Sequence, residues 1–237
     1  MPESSAGVQF EGCTLILPVI SVGLVPSLAV DLLVHAPALN FSYVASLDGT
    51  DCVPFVGPAD DPPADHISTA LDVYKSKSHD LVVVQQRSPI LKTHKKQFVR
   101  RLMEWIKEAK LANILVLATL DAAFRSDAEM MTSQWKYMSS TAATSPLTDR
   151  AERLPMYADG NPSPPMPGAE ITQIYLQNAP STTLALLQFC AEGDNREDAY
   201  QLAESAARIC GVSVDRWFEP KSWQSLFGPK PDQQLYG

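Results

Sequence analysis

Histidine is scarce in this chain, four in 237 residues. None of His35, His66, His79 and His94 stands at metal-ligand spacing from another histidine or a cysteine. His35 falls at the end of a helical pattern and reads as a surface or capping residue. Cysteine is as rare: Cys13, Cys52, Cys190 and Cys210 are scattered, with no redox or zinc spacing, and read as reduced thiols of a cytosolic protein. No Gly-x-Ser-x-Gly elbow presents a serine nucleophile. Lysine and arginine (19) are outnumbered by aspartate and glutamate (27), and the net charge of −8 argues against nucleic acid as a partner. The opening MPESSAGVQFEG has no basic stretch leading into an apolar one, so a signal peptide is not expected.

Charge is also missing from residues 13–30, a stretch long enough to raise a membrane span. Thr14, Pro18, Ser21, Gly23, Pro26 and Ser27 interrupt it, and no Lys or Arg flanks it, so the span is rejected. The stretch reads instead as strand, turn and helix. Cys13–Val19 is a short apolar run, Ser21 and Gly23 supply the turn, and Pro26 suits a first helical turn, where a missing N–H costs nothing. Leu28, Leu32 and His35 then recur at helical spacing beside Val25, Ala29 and Leu33. A strand–turn–helix can cradle phosphate, but this one offers a single glycine where the dinucleotide fingerprint wants three, and no Gly-Lys-Ser/Thr.

Beyond it the chain alternates strands and helices. Phe41–Leu47 reads as a strand with Phe41, Tyr43, Ala45 and Leu47 on one face, Leu71–Tyr74 as a short strand, and Asp80–Gln86 as a buried central one. Residues 48–66, with Pro54, Pro58, Pro62 and Pro63, read as a loop. Thr93–Lys110 is a helix with Phe98, Leu102, Trp105, Ile106 and Ala109 in one stripe, its basic start being a solvated face or a patch for an anionic partner. With the strand at Asn113–Ala118 it makes a parallel βαβ unit. Residues 119–168 break the alternation and read as a long irregular segment. Gly168–Leu176 suits a strand or a short helix, and Pro180–Ala191 a helix. Asp194 and Glu197 form a box-like N-cap for a helix whose inner face is Ala199, Leu202, Ala203, Ala206 and Ile209, closed by Gly211. The whole, 1–237, is expected to be a single α/β domain with an extended tail over 229–237.

Two constellations could carry function. Asp121, Arg125 and Asp127 lie just past a strand's carboxyl end, where open α/β sheets bind ligands, and are the best enzymatic candidates. They lack an evident base, nucleophile or metal partner, and a local ion pair is the blander reading. The other is Leu235-Tyr236-Gly237, an apolar residue, a tyrosine and a last residue, preceded by Pro229 and Pro231, which favour extension.

Several stretches together resemble the proteasome assembly chaperone 2 family. They are CTLILPVISVGLVPSLAVDLLV, QQRSPI with its helix, PGAEIT, LLQFCAEGDNREDA and RWFEPKSWQSLFG, in order over nearly the whole chain. Residues 48–66 and 128–166 match little. The resemblance implies a central, largely parallel sheet flanked by helices, in Rossmann-like or nucleoside-phosphorylase-like layering. It implies a non-enzymatic chaperone with no catalytic, cofactor or metal site. As a heterodimer with proteasome assembly chaperone 1, that chaperone would bind the α-subunit ring of the 20S core particle, in the cytoplasm and also the nucleus. Leu235, Tyr236 and Gly237 would then enter a pocket between α subunits. The alternative is a nucleoside- or nucleotide-binding α/β enzyme. The apolar opening unit and the aromatic-rich 216–228 also lead us to expect an obligate partner chain.

Overall fold

A computed structural model describes residues 8–60, 66–125, 127–131, 133–139, 145–151, 154–157, 165–180 and 182–225. Its strands are β1 (Thr14–Pro18), β2 (Phe41–Ser46), β3 (Val56–Pro58), β4 (Ile67–Thr69), β5 (Leu71–Ser76), β6 (Leu81–Gln86), β7 (Asn113–Asp121), β8 (Trp135–Ser139) and β9 (Thr183–Cys190). Its α-helices are α1 (Val25–His35), α2 (Lys95–Glu108), α3 (Asp127–Met130), α4 (Pro146–Ala151), α5 (Glu170–Asn178) and α6 (Arg196–Cys210). Seven strands form one sheet in the order β2-β5-β6-β1-β7-β9-β8. The middle four, β6-β1-β7-β9, are parallel, and β2, β5 and β8 join antiparallel at the two sides.

The buried, charge-free runs explain the parallel centre. Every residue of β6 and β9, and all but the first of β1, is buried, as strands covered by helices on both faces must be. α1 and α6 pack on one face around Ile16, Leu115, Leu117, Leu184 and Leu186. α2 and α5 cover the other around Leu15, Val82, Val116 and Leu187. α1 is apolar on nearly every side because it lies between the sheet and α6, so the apolar load of the opening unit is used within the chain.

Of the two readings left open for Gly168–Leu176, the helix holds from Glu170 on, in α5. The structure corrects the sequence reading at three places. Pro180–Ala191 holds strand β9, in parallel register with β7 from Ile114↔Thr183 to Asp121↔Cys190. Leucine and alanine favour a helix locally, but burial on both faces decides the outcome. The 119–168 segment contributes two short helices and the sheet-edge strand β8, whose outer side is bonded by Pro155 O to Tyr137 N (3.1 Å). In β2 the register shifts between Tyr43 and Ala45. Phe41 and Tyr43 therefore pack on one core, and Ala45 and Leu47 on the other, instead of sharing a face.

Candidate functional site

The carboxyl ends of the parallel strands are where an enzyme of this architecture would work. Here the turn after β1 is closed on its β7 and β9 side by the protein's own groups. The turn after β1 is stitched to β7: Ser21 Oγ lies 2.8 Å from Thr119 Oγ1 and accepts from Thr119 N (3.0 Å), and Thr119 Oγ1 donates to Val22 O (2.6 Å). Cys190 Sγ donates to the same carbonyl at 3.2 Å. Gly23, at φ 68°, has the Asn195 amide where its Cβ would stand, and Asn195 Nδ2 donates to Gly23 O (3.4 Å) and Gly193 O (3.2 Å). The space a phosphate would need beside this turn is taken by Asn195. Gly168, at φ 82°, likewise lets Val22 approach closely.

Asn195 is the residue sequence reasoning missed. Asp194, read as the cap of α6, accepts from the Arg196 backbone N (3.3 Å) and also grips the same residue's guanidinium, accepting from Nε (2.9 Å) and Nη2 (2.6 Å). The Arg196 guanidinium holds the Asp194 carboxyl below its ordinary range. Glu197 accepts from Gln201 Nε2 (3.3 Å), one turn along the helix. The capping position itself belongs to Asn195. A buried amide between two backbone carbonyls has no periodicity to betray it.

The Asp121, Arg125 and Asp127 cluster is brought to the expected strand end, but Asp121 and Arg125 have local work. Asp121 Oδ1 accepts from Ala123 N (2.9 Å) and caps the 3-10 turn Ala122–Phe124. The Arg125 guanidinium lies over the Phe189 ring at 5.2 Å and donates to Glu129 O. Asp127 is exposed in α3. Among the described residues, no group of three His, Cys, Asp or Glu side chains could hold a metal ion. A cleft lined by Gln86, Lys92, Lys95 and Glu170 holds about 220 Å³, below the roughly 300–1,000 Å³ of small-molecule sites.

The most elaborate polar arrangement lies elsewhere, where the aromatic segment meets α1. Asp31 is 3% exposed. Its carboxylate receives Gln85 Nε2, Arg87 Nη1 (3.0 Å) and Trp223 Nε1 (3.0 Å). Arg87 Nη2 continues to Asp60 (3.7 Å), whose Oδ1 accepts from Ser222 N (3.0 Å). Burial pushes the Asp31 carboxyl up, and Arg87 and Trp223 pull against it. Trp223 is buried, edge-on to Tyr200 at 6.5 Å. The segment 216–225 is therefore partly spent on this chain's own core, with Trp217 half-buried and Phe218 exposed. That corrects its use as a motive for a partner. Leu235, Tyr236 and Gly237 lie outside the described residues.

The PAC2 family model matches residues 15–209. Among curated proteins, the chain is 31% identical over 244 residues to "Proteasome assembly chaperone 2" of Xenopus tropicalis, covering 91% of each. It is 29% identical over 257 residues to the protein of that name from Homo sapiens, covering 96% of each. Among solved structures it resembles Pyrococcus furiosus PbaA, described as an archaeal homolog of proteasome-assembly chaperone, at TM-score 0.67 and 14% identity, covering 91% of this chain and 87% of that one. It also resembles P. furiosus PbaB, described as an archaeal proteasome activator, at TM-score 0.64 and 13% identity, covering 91% and 90%. At those identities the two structures speak for the fold alone.

Proposed function

Because the chain belongs to the PAC2 family, we propose that it is a non-enzymatic chaperone of proteasome assembly. In this reading it works as a heterodimer with a chaperone of the proteasome assembly chaperone 1 kind. The pair binds the α-subunit ring of the 20S core particle while the ring forms, in the cytoplasm and in the nucleus. The observation that carries the reading is the likeness to curated relatives named for this role, which extends over nine-tenths of both chains. The geometry supports it from the other side: the turn after β1, where a phosphate would sit, is filled by Asn195 and bonded through Ser21 to Thr119. Leu235, Tyr236 and Gly237 form the segment proposed to enter a pocket between α subunits.

Depleting the protein from cells tests the role. Assembled 20S particles should fall on native gels and free α subunits accumulate; unchanged assembly would contradict it. Replacing Asp121, Arg125 and Asp127 together with alanine tests the non-enzymatic part. Losing the Arg125–Phe189 contact costs about 0.5–1 kcal/mol, a shift in Tm of a few degrees at this size. Assembly should otherwise proceed as in wild type. A selective loss of function with no greater fall in Tm than that would return catalysis to consideration.

A further inference from the structure

α2 opens on a run of positive charge. Residues 87–103 hold six Lys or Arg and no Asp or Glu. Two of the six are spent inside the fold: Arg87 on Asp31 and Asp60, and Arg101 on Asp48 and Asp51. Lys92, Lys95 and Lys96 have no partner among the described residues. Arg100 has only Glu104 at 4.0 Å, with both side chains exposed, and such a pair contributes almost nothing. The acid nearest the helix start, Asp51, is buried and already bonded to His94 (2.9 Å) and Arg101.

Helical geometry gathers the unpaired cations on one side. Positions 96, 100, 103 and 107 fall in a single stripe of α2, at i, i+4, i+7 and i+11. The stripe reads Lys96, Arg100, Met103, Lys107: three exposed cations round a half-buried methionine, over about 17 Å at 1.5 Å per residue. The acids of the helix, Glu104 and Glu108, line the groove on its other side with Arg101 and Trp105. At the head of the stripe Lys92 and Lys95 line the 220 Å³ cleft with Gln86 and Glu170, too small for a whole small molecule but open to a side chain. This arrangement does not serve the helix. The positive end of the macrodipole disfavours cations, yet the first turn of α2 holds Lys95 and Lys96 and no acid. α5 and α6 make the favourable choice at the same place, with Glu170 and with Glu197 and Asp198. A local rule broken without a compensating contact marks a surface kept for function.

We propose that the stripe of Lys96, Arg100 and Lys107, with Lys92 and Lys95 at its head, binds a short acidic segment of another polypeptide. Charge complementarity names the class of ligand. About five extended residues span the stripe, enough for two or three carboxylates to meet its cations while their methylenes lie on Met103. A nucleic acid fits less well, because no ring among the cations is free to stack on a base: Phe98 is buried, His94 is held by Asp51, and Trp105 packs on Phe10. A membrane surface fits less well, because α2 exposes no large apolar side chain to enter a bilayer.

The test is fluorescence anisotropy of labelled hexaglutamate titrated with the full chain. A Kd of about 100 μM or tighter is expected at low salt, weakening as salt is raised. Lys96→Gln combined with Arg100→Gln and Lys107→Gln should weaken binding at least about tenfold, whereas Glu104→Gln with Glu108→Gln should not weaken it. Lys96→Glu alone separates binding from folding. An acid in the first turn suits the macrodipole and can pair with Arg100 one turn on, so Tm should hold or rise while binding falls. A fall in Tm would show that Lys96 serves the fold and would overturn the inference. So would equal binding by wild type and the triple variant, or no binding of hexaglutamate by wild type. Hexathymidylate or phosphatidylserine vesicles bound more tightly than hexaglutamate would overturn the choice of a polypeptide.

Discussion

Trp223→Ala is expected to destabilise the fold by about 3–5 kcal/mol, the usual cost of emptying a buried tryptophan site. At this chain length that lowers Tm by on the order of 10 °C. Two losses combine. The indole leaves a void beside Tyr200, and Asp31 loses one of three donors while remaining buried on α1. Because burial already pushes the Asp31 carboxyl up, removing a donor makes the charge costlier still. Trp223→Phe separates the terms: it keeps most of the packing and loses the N–H, costing about 1.5–3 kcal/mol for a bond to a charged acceptor. Asp31→Ala should cost about 3 kcal/mol, because Gln85 and Trp223 would lose their acceptor and Arg87 would keep only Asp60; Arg87 also retains some access to water, which keeps the figure at the low end. Thermal denaturation of the three variants checks the order. A Trp223→Ala protein melting within about two degrees of wild type would show that the aromatic segment does not anchor α1.

Removing Leu235–Gly237 should weaken recovery of α subunits roughly thirtyfold and leave the chaperone heterodimer intact. Leu235 contributes about 1.5–3 kcal/mol if fully covered, and Tyr236 can fill a cleft while its hydroxyl bonds at the rim. Ordering a segment offsets part of this gain, and a net of about 2 kcal/mol corresponds to that factor. Equal recovery of α subunits by the intact and shortened chains would remove the tail from the mechanism without touching the family assignment.

What the sequence reveals and what it hides follow from the range of the interactions. β1, α1, β6, α2 and α6 are legible because each is specified locally, by an apolar run or a 3.6-residue stripe bounded by turn residues. Ala199, Leu202, Ala203, Ala206 and Ile209 are all buried, and Gly211 takes the left-handed cap at φ 78°. β9 misleads because Leu-Ala-Leu-Leu suits a helix until a neighbouring strand is present on each side. β8 hides in a polar stretch because an edge strand needs few apolar residues. The Asp31–Trp223 bond joins residues 192 positions apart, and no pattern in either neighbourhood announces it. β3 goes unread inside the 48–66 loop because a three-residue strand falls below any periodicity test.

The proposal that this chain escorts the α ring during core-particle assembly is tested by affinity purification of the tagged full chain from cells, with mass spectrometry of what accompanies it. A proteasome assembly chaperone 1 partner is expected in near-equal amount, together with α subunits in excess over β subunits, as in an early intermediate. Recovery of neither the partner nor any proteasome subunit, at an expression level where the chain is folded, would contradict it.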